Sequence, residues 1–300
     1  IVHELLVHVT TAVSVPDGRD YEDLGRNFRA IAATILDRYI APHRADIVRL
    51  FDELRRDASE EIERALAEAF AEPKPIVEPD KGSWWRRLSA VEAANKPPPS
   101  ETPADRDHRI VSDWRKKSQI ASNKSDEACF GALSRIATGV MSRRGRLVGD
   151  HALLTELAVT LVCNGFGSQV IGGAIASCVD EAIACEGYRA LPNQAKPVVM
   201  NVKGASASGK STMRPLQKIL AGKLHLPWDQ FALISPDIWR KFLLDYGALG
   251  FAYKYAGTLS GHELEIVDKK LDRRMVEKSA RGEMPHLLID RFRFDSFEPE

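Results

Sequence analysis

The sequence GASASGKST has the spacing of a phosphate-binding loop: glycine, four residues, glycine, lysine and a hydroxyl-bearing residue. Glycines at the two ends permit backbone angles that direct successive N–H groups towards phosphate oxygens. Lys210 is expected to reach the β- and γ-phosphates, and the hydroxyl of Ser211 is expected to bind Mg²⁺. The predicted nucleotide-binding residues are Gly204, Ala205, Ser206, Ala207, Ser208, Gly209, Lys210, Ser211 and Thr212.

The segments on either side of this loop are of the types that the motif requires. Residues 198–202 form a short apolar run typical of a buried parallel strand, and residues 212–224 have the pattern of a helix. Strand, loop and helix thus occur in the order found in an α/β protein with a parallel sheet. The motif alone leaves kinase, ATPase and GTPase open, although no NKxD guanine-reading string is present.

Asp237 is the next candidate for chemistry. It follows a second predicted strand, residues 231–235, and ligands bind at the carboxyl ends of such strands. A carboxylate there can accept the proton of a substrate hydroxyl that attacks the γ-phosphate. Arg240, one helical turn later, is expected to hold Asp237 or a phosphate. The alternative is that Asp237 only caps a helix beginning at Ile238.

Further candidates follow in a predicted helix, residues 261–280, and a third predicted strand, residues 286–289. His262 and Glu263, in the first turn of that helix, could face substrate; capping or surface roles are the alternative. Asp290 ends the strand where a carboxylate can bind Mg²⁺ through water. Two arginines after it could contact substrate phosphates or be solvated: Arg291 and Arg293.

The strings GASASGKST and SPDIWR together resemble the zeta-toxin family of P-loop kinases, with a P-loop and then a strand ending in D-x-x-R. This resemblance covers residues 196–300. It implies that Asp237 deprotonates a hydroxyl and that Lys210 and Ser211 have the P-loop roles, with ATP and Mg²⁺ as cofactors. Family members phosphorylate UDP-N-acetylglucosamine, and related secreted bacterial effectors phosphorylate NAD. A toxin or effector in the bacterial cytoplasm or a host cell, with an antitoxin or chaperone as inhibitor, is therefore expected.

The chain is predicted to have four parts, with an α/β P-loop kinase-like domain preceded by a mostly α-helical region. The predicted parts are helical residues 1–72, a proline-rich linker at 73–107, helical residues 108–190 and the kinase domain at 191–300. Helices are predicted over 21–40, closed by Pro42, and over 47–70. The chain begins without Met and ends where zeta-type kinases continue into an arginine-bearing lid, so we expect an excerpt of a longer, active protein.

Composition excludes several other classes of protein. Of the 300 residues, 44% are hydrophobic and 28% charged, with 42 basic and 42 acidic side chains, which argues against nucleic-acid binding. The four cysteines form no CxxC pair and are expected to be small buried residues. Residues 157–179 lack charge, but their polar residues and glycines favour two buried helices, broken near Asn164–Gly165, over a membrane span.

Two other functions compete with the kinase prediction. A nucleotide-switched ATPase would release phosphate without an acceptor. Alternatively, residues 1–190 would be the functional part, an interaction module for a protein partner, with the nucleotide site in a regulatory role.

Overall fold

The computed structural model describes residues 1–20, 22–71, 102–202 and 213–290. The chain folds into two compact units: Ile1–Val48 with Gln169–Glu300, and Arg49–Ser168. The sequence-based division placed residues 1–72 in a separate helical region, whereas the N-terminal helix packs against a strand of the sheet within the first unit. Of the predicted linker, residues 73–101 lie outside the described residues, and a helix begins at Pro103.

The first unit contains a three-stranded parallel sheet. Its strands are β1 (Val199–Asn201), β2 (Phe231–Ile234) and β3 (His286–Ile289), in the order β1-β3-β2. All three strands are confirmed at the predicted positions to within a residue at either end. Asn201 and Ile234 are each in register with Ile289, so the three strands end at one level.

Helices surround this sheet, and their bounds follow in chain order. They are α1 (Val2–Ala12), α2 (Asp23–Thr34), α7 (Ser168–Cys185), α8 (Arg214–Lys223), α9 (Pro236–Leu243), α10 (Tyr246–Leu249), α11 (Ala256–Leu259) and α12 (Gly261–Ala280). A 3₁₀ segment, Gly250–Tyr255, joins α10 to α11. The predicted helix at 261–280 is confirmed. Sheet residues share an apolar cluster with α2 and α8 through Leu24 and Ala221.

Helix α1 is held in this unit by buried polar contacts as well as by its apolar side chains. Glu4 is 5% exposed, and its Oε1 lies 3.1 Å from Nη2 of Arg273 and 3.6 Å from Nζ of Lys270. The carboxylate also lies against Gly172, where an added Cβ would meet Oε2 at 2.6 Å. These partners lie far from Glu4 in sequence, so helical periodicity alone gives no sign of them.

In the described residues of the second unit, four helices pack around a separate apolar core. The unit contains most of α3 (Arg44–Phe70), then α4 (Pro103–Ile120), α5 (Lys124–Arg144) and α6 (His151–Val162). A capping box starts α4, with Thr102 accepting from the backbone N–H of Asp105 at 3.2 Å. In the same unit the buried Asp107 accepts from Nε of Arg146 at 2.6 Å and from the backbone N–H of Leu147 at 3.0 Å.

Two predicted helix ends are wrong. Within the predicted helix at 21–40, α2 ends at Thr34 and is followed by a π-helical turn, Ile35–Ile40. Pro42 does not close the helix, because it lies in a 3₁₀ turn, Ala41–His43, that leads into α3. The predicted break at Asn164–Gly165 is a π-helical turn, Cys163–Gly167, joining α6 to α7. In both places a π-helical turn keeps the backbone helical, and at the first place a 3₁₀ turn follows it. Of the cysteines, Cys129 and Cys178 are buried as expected, while Cys163 is partly exposed and Cys185 exposed.

Candidate functional site

The carboxyl ends of the three strands meet at one edge of the sheet. The backbone N–H of Val202, after β1, donates to the carbonyl of Ile289 at 3.0 Å. The backbone N–H of Asp290, after β3, donates to the carbonyl of Ile234 at 3.1 Å. This edge is where ligands bind in open α/β sheets. In the sequence, the GxxxxGKS motif begins two residues after Val202.

Asp237 and Arg240 form an ion pair beside this edge. Nη1 of Arg240 donates to Oδ1 of Asp237 at 2.7 Å, and the Asp237 side chain is 66% exposed whereas that of Arg240 is 14% exposed. Helix α9 begins at Pro236, so Asp237 lies in its first turn and its carboxylate meets Arg240 three residues later. The alternative role as a helix cap is not observed, because Ser235 occupies the cap position.

Ser260 holds the guanidinium of Arg240 from the other side. Nε of Arg240 donates to Oγ of Ser260 at 2.9 Å, and that hydroxyl donates to the carbonyl of Ala256 at 2.7 Å. Ser260 is fully buried, at 0% exposure. The Arg240 side chain is therefore fixed between a buried hydroxyl and an exposed carboxylate, which restricts the orientation of Asp237.

Trp239 anchors α9 between these two charged residues. Its side chain is fully buried, and its indole N–H donates to Oγ1 of Thr10 in α1 at 3.2 Å. On the same helix Ile238 packs near Gly25 of α2, where a Cβ would lie 3.4 Å from Cγ1 of Ile238. Helix α9 is thus positioned by two helices from the start of the chain, which explains how the N-terminal segment contributes to the site.

Asp290 forms an ion pair with Arg214 at the end of β3. Nη2 of Arg214 donates to Oδ2 of Asp290, and the two side chains are 7% and 18% exposed. Arg214 is the first residue of α8 and follows the predicted phosphate-binding residues closely. The Asp290 carboxylate is thus already paired with a guanidinium, and its role at a metal ion stays a prediction.

The other sequence-predicted residues fall into two groups. His262 has a fully exposed side chain, with Nδ1 4.0 Å from a Glu265 carboxylate oxygen, and Glu263 accepts from Nε2 of His3 at 2.8 Å. Neither interaction joins them to the Asp237–Arg240 pair. The predicted phosphate-binding residues 204–212, with Lys210 and Ser211, and also Arg291 and Arg293, lie outside the described residues.

Tyr246 is a residue of this region that the sequence analysis missed. Burial raises the pKa of its phenol, the charge of Arg240 lowers it and the charge of Asp237 raises it. The ring therefore lies within electrostatic range of both members of the pair. The sequence analysis also did not identify Arg214 and Ser260. The side-chain partners of these three residues lie 6 to 76 residues away in sequence. Only Arg214, which follows the predicted phosphate-binding loop closely, could have been suspected from its position.

The described part of the chain contains no group of three or more His, Cys, Asp or Glu side chains arranged to hold a metal ion. The helical stretch His151–Cys185 is long and apolar enough to cross a membrane, with a mean hydropathy of 1.3, although core helices of soluble proteins meet the same criterion. No protein-family model, curated protein or solved structure matches this chain.

Proposed function

We propose that this protein is an ATP-dependent kinase of the P-loop type that phosphorylates a hydroxyl of a nucleotide or nucleotide sugar, such as UDP-N-acetylglucosamine or NAD. The observation that carries the proposal is the position of Asp237. It lies beside the carboxyl edge of a parallel sheet whose first strand leads into GxxxxGKS, and its carboxylate is held by Arg240 at 2.7 Å. An α/β P-loop kinase fold for residues 191–300 belongs to the same proposal.

Asp237 is proposed as the general base. Its carboxylate would accept the proton of the acceptor hydroxyl while that oxygen bonds to the γ-phosphorus of ATP and the bond from this phosphorus to the bridging oxygen breaks, so that ADP leaves. Its 66% exposed side chain leaves room for an acceptor to approach, and Arg240 limits the directions in which the carboxylate can point. Positioned general bases of this kind contribute about 10²- to 10⁴-fold to rate.

The cofactor would be held by residues around the start of α8. Bound ATP with Mg²⁺ supplies the phosphoryl group; residues 204–212 would hold its phosphates, with Lys210 neutralising charge and Ser211 binding the metal. Asp290 would hold water of the metal's hydration shell, and Arg214 keeps that carboxylate in place. Arg291 and Arg293 remain proposed phosphate contacts. His262 and Glu263 are less favoured as substrate ligands, because their contacts with Glu265 and His3 do not join them to the Asp237–Arg240 pair.

The proposed cellular role rests on the resemblance of GASASGKST and SPDIWR to the zeta-toxin family. We propose on that basis a toxin- or effector-like role with an inhibitor protein as partner. The site of action would be the bacterial cytoplasm or, for a secreted effector, a host cell.

The test is an acceptor assay with the protein in its full natural length. Protein, Mg²⁺ and ATP are incubated with UDP-N-acetylglucosamine or NAD, and mass spectrometry detects one added phosphate on either acceptor. Asp237→Ala should abolish the product. Glu265→Gln is a matched control, because this exposed carboxylate on α12 lies 3.6 Å from Nζ of Lys269 and 4.0 Å from Nδ1 of His262, with no contact to the Asp237–Arg240 pair. Phosphate release without a modified acceptor would replace the kinase with an ATPase.

A further inference from the structure

Both ends of the segment between α9 and α12 are hydrogen-bonded to Arg240. The backbone N–H of Leu244 donates to the carbonyl of Arg240 at 3.0 Å, and Ser260 accepts from Nε of the same residue at 2.9 Å. Residues 245–259 therefore form a segment whose two ends both lie beside the Asp237–Arg240 pair.

This segment, residues 245–259, is rich in exposed aromatic rings. Phe251 is 100% exposed, Tyr253 62% and Tyr255 54%. Large aromatic side chains are normally at least half covered in a folded protein, because their burial is favourable. Three such rings, at alternate positions of the 3₁₀ segment Gly250–Tyr255, leave aromatic faces open to a planar ligand.

Tyr246 connects these aromatic rings to the charged pair. Its ring contacts that of Tyr253 edge to face, with centroids 5.8 Å apart and planes at 60°. The same ring is within electrostatic range of Asp237 and Arg240. An edge-on contact from Tyr246 supports the Tyr253 ring, and the exposure of Tyr253 shows that much of that ring remains open to a ligand.

Two lysine side chains lie on or next to this segment. Nζ of Lys254 lies 5.0 Å from the centroid of the Tyr255 ring, and Lys241 is exposed next to Arg240. Open aromatic faces with adjacent cations match a molecule that joins a flat heterocycle to phosphate groups. A purely aliphatic or anionic ligand would use only one of these two features.

We infer that Phe251 and Tyr253 form a stacking site for the heterocyclic ring of the acceptor nucleotide, a nucleobase or nicotinamide. The inference rests on the proposed function in naming the acceptor, and it specifies how that acceptor is recognised. Stacking of the ring on this segment would place the attached sugar hydroxyls towards Asp237. Selection among acceptors would then depend on the presence of a ring and of phosphate.

The test is calorimetric titration of the protein, without ATP, with UDP-N-acetylglucosamine and with NAD. Loss of a stacking ring weakens nucleotide binding by about 5- to 100-fold. Tyr253→Ala and Phe251→Ala should each raise the dissociation constant of at least one of these two probes within that range, whereas Tyr253→Phe should not. Val276→Ala is the control, since this side chain on α12 is 69% exposed and has no ring.

A probe without a heterocycle separates stacking from a general change in the segment. Ribose 5-phosphate should bind the wild type and both alanine variants with the same affinity. Equal losses for this probe, unchanged affinity of the variants for both nucleotides, or no binding of either nucleotide to the wild type at millimolar concentration would each overturn the inference. Ring-dependent binding in a protein that transfers no phosphate would support the stacking site and contradict the kinase proposal.

Discussion

Replacement of Glu4 by Gln tests whether the N-terminal helix belongs to the first unit. The Glu4 carboxylate is 5% exposed and lies 3.1 Å and 3.6 Å from the cationic groups of Arg273 and Lys270. Attractions at these distances are each of order 4 kcal/mol at an effective dielectric constant near 20, and desolvation offsets much of that. Removal of one partner from a buried ion pair costs about 3–5 kcal/mol, because the other charges stay buried.

The free energy of unfolding, measured in urea, should therefore fall by about 3 kcal/mol in Glu4→Gln. This value is the lower end of the range for a broken buried ion pair, because the amide oxygen of Gln can still accept a hydrogen bond. Glu22→Gln is the matched control. Its carboxylate pairs with Arg26 at 3.0 Å but is 61% exposed, and such pairs contribute about 0–1 kcal/mol. Equal losses in the two variants would refute the buried triad and the placement of α1.

The pH dependence of the Glu4→Gln effect provides a second check. Burial lowers the pKa of Lys270, and Glu4 opposes this by raising it. In the variant the folded-state pKa falls further below the unfolded value, so the unfolded chain binds more protons and stability rises with pH. The difference in unfolding free energy between wild type and variant should accordingly shrink as the pH rises from neutral towards the pKa of Lys270, whereas a constant difference would contradict the assignment.

Three further predictions follow from single contacts. Burial and then Arg274 lower the pKa of His8 to about 4, so the contribution of His8 to stability should be complete above about pH 6.5 and be lost as the pH falls from 6.5 to 4. His8→Gln should therefore flatten the fall of the urea midpoint over that range. Ser260→Ala removes the acceptor for Arg240, worth about 1 kcal/mol, and should lower kcat about fivefold while the Kd for ATP, from calorimetry, stays unchanged. Asp107→Asn should destabilise the second unit by about 1–3 kcal/mol in urea unfolding monitored by amide exchange of α4; no loss would contradict a structural role for this buried carboxylate.

The strands and the long helices could be predicted from the sequence because their signals are local. The apolar runs at 198–202, 231–235 and 286–289 coincide with β1, β2 and β3 to within a residue, and the periodic segment at 47–70 covers all but the first three residues of α3. The acidic residues after the strands, Asp237 and Asp290, lie near the carboxyl ends of β2 and β3, as their positions in the sequence predict.

The contacts that unite the first unit could not be predicted in this way. Helix α1 carries His3, Glu4 and His8, which suggest a partly polar surface, yet their partners include α12, more than 250 residues later. The same holds for Ser260, whose role depends on a bond to Arg240. Periodicity shows which face of a helix is apolar, but it does not show which distant charge will meet a buried one.

The most direct test of the account compares ATP binding and phosphate transfer in wild type and Asp237→Asn. The account predicts that the Kd for ATP, measured by calorimetry, stays within about threefold, while transfer to the acceptor, measured by mass spectrometry, falls about 10²- to 10⁴-fold. Undiminished transfer would remove Asp237 from the proposed chemistry. A parallel loss of ATP affinity would make it part of the nucleotide site and contradict its role as general base.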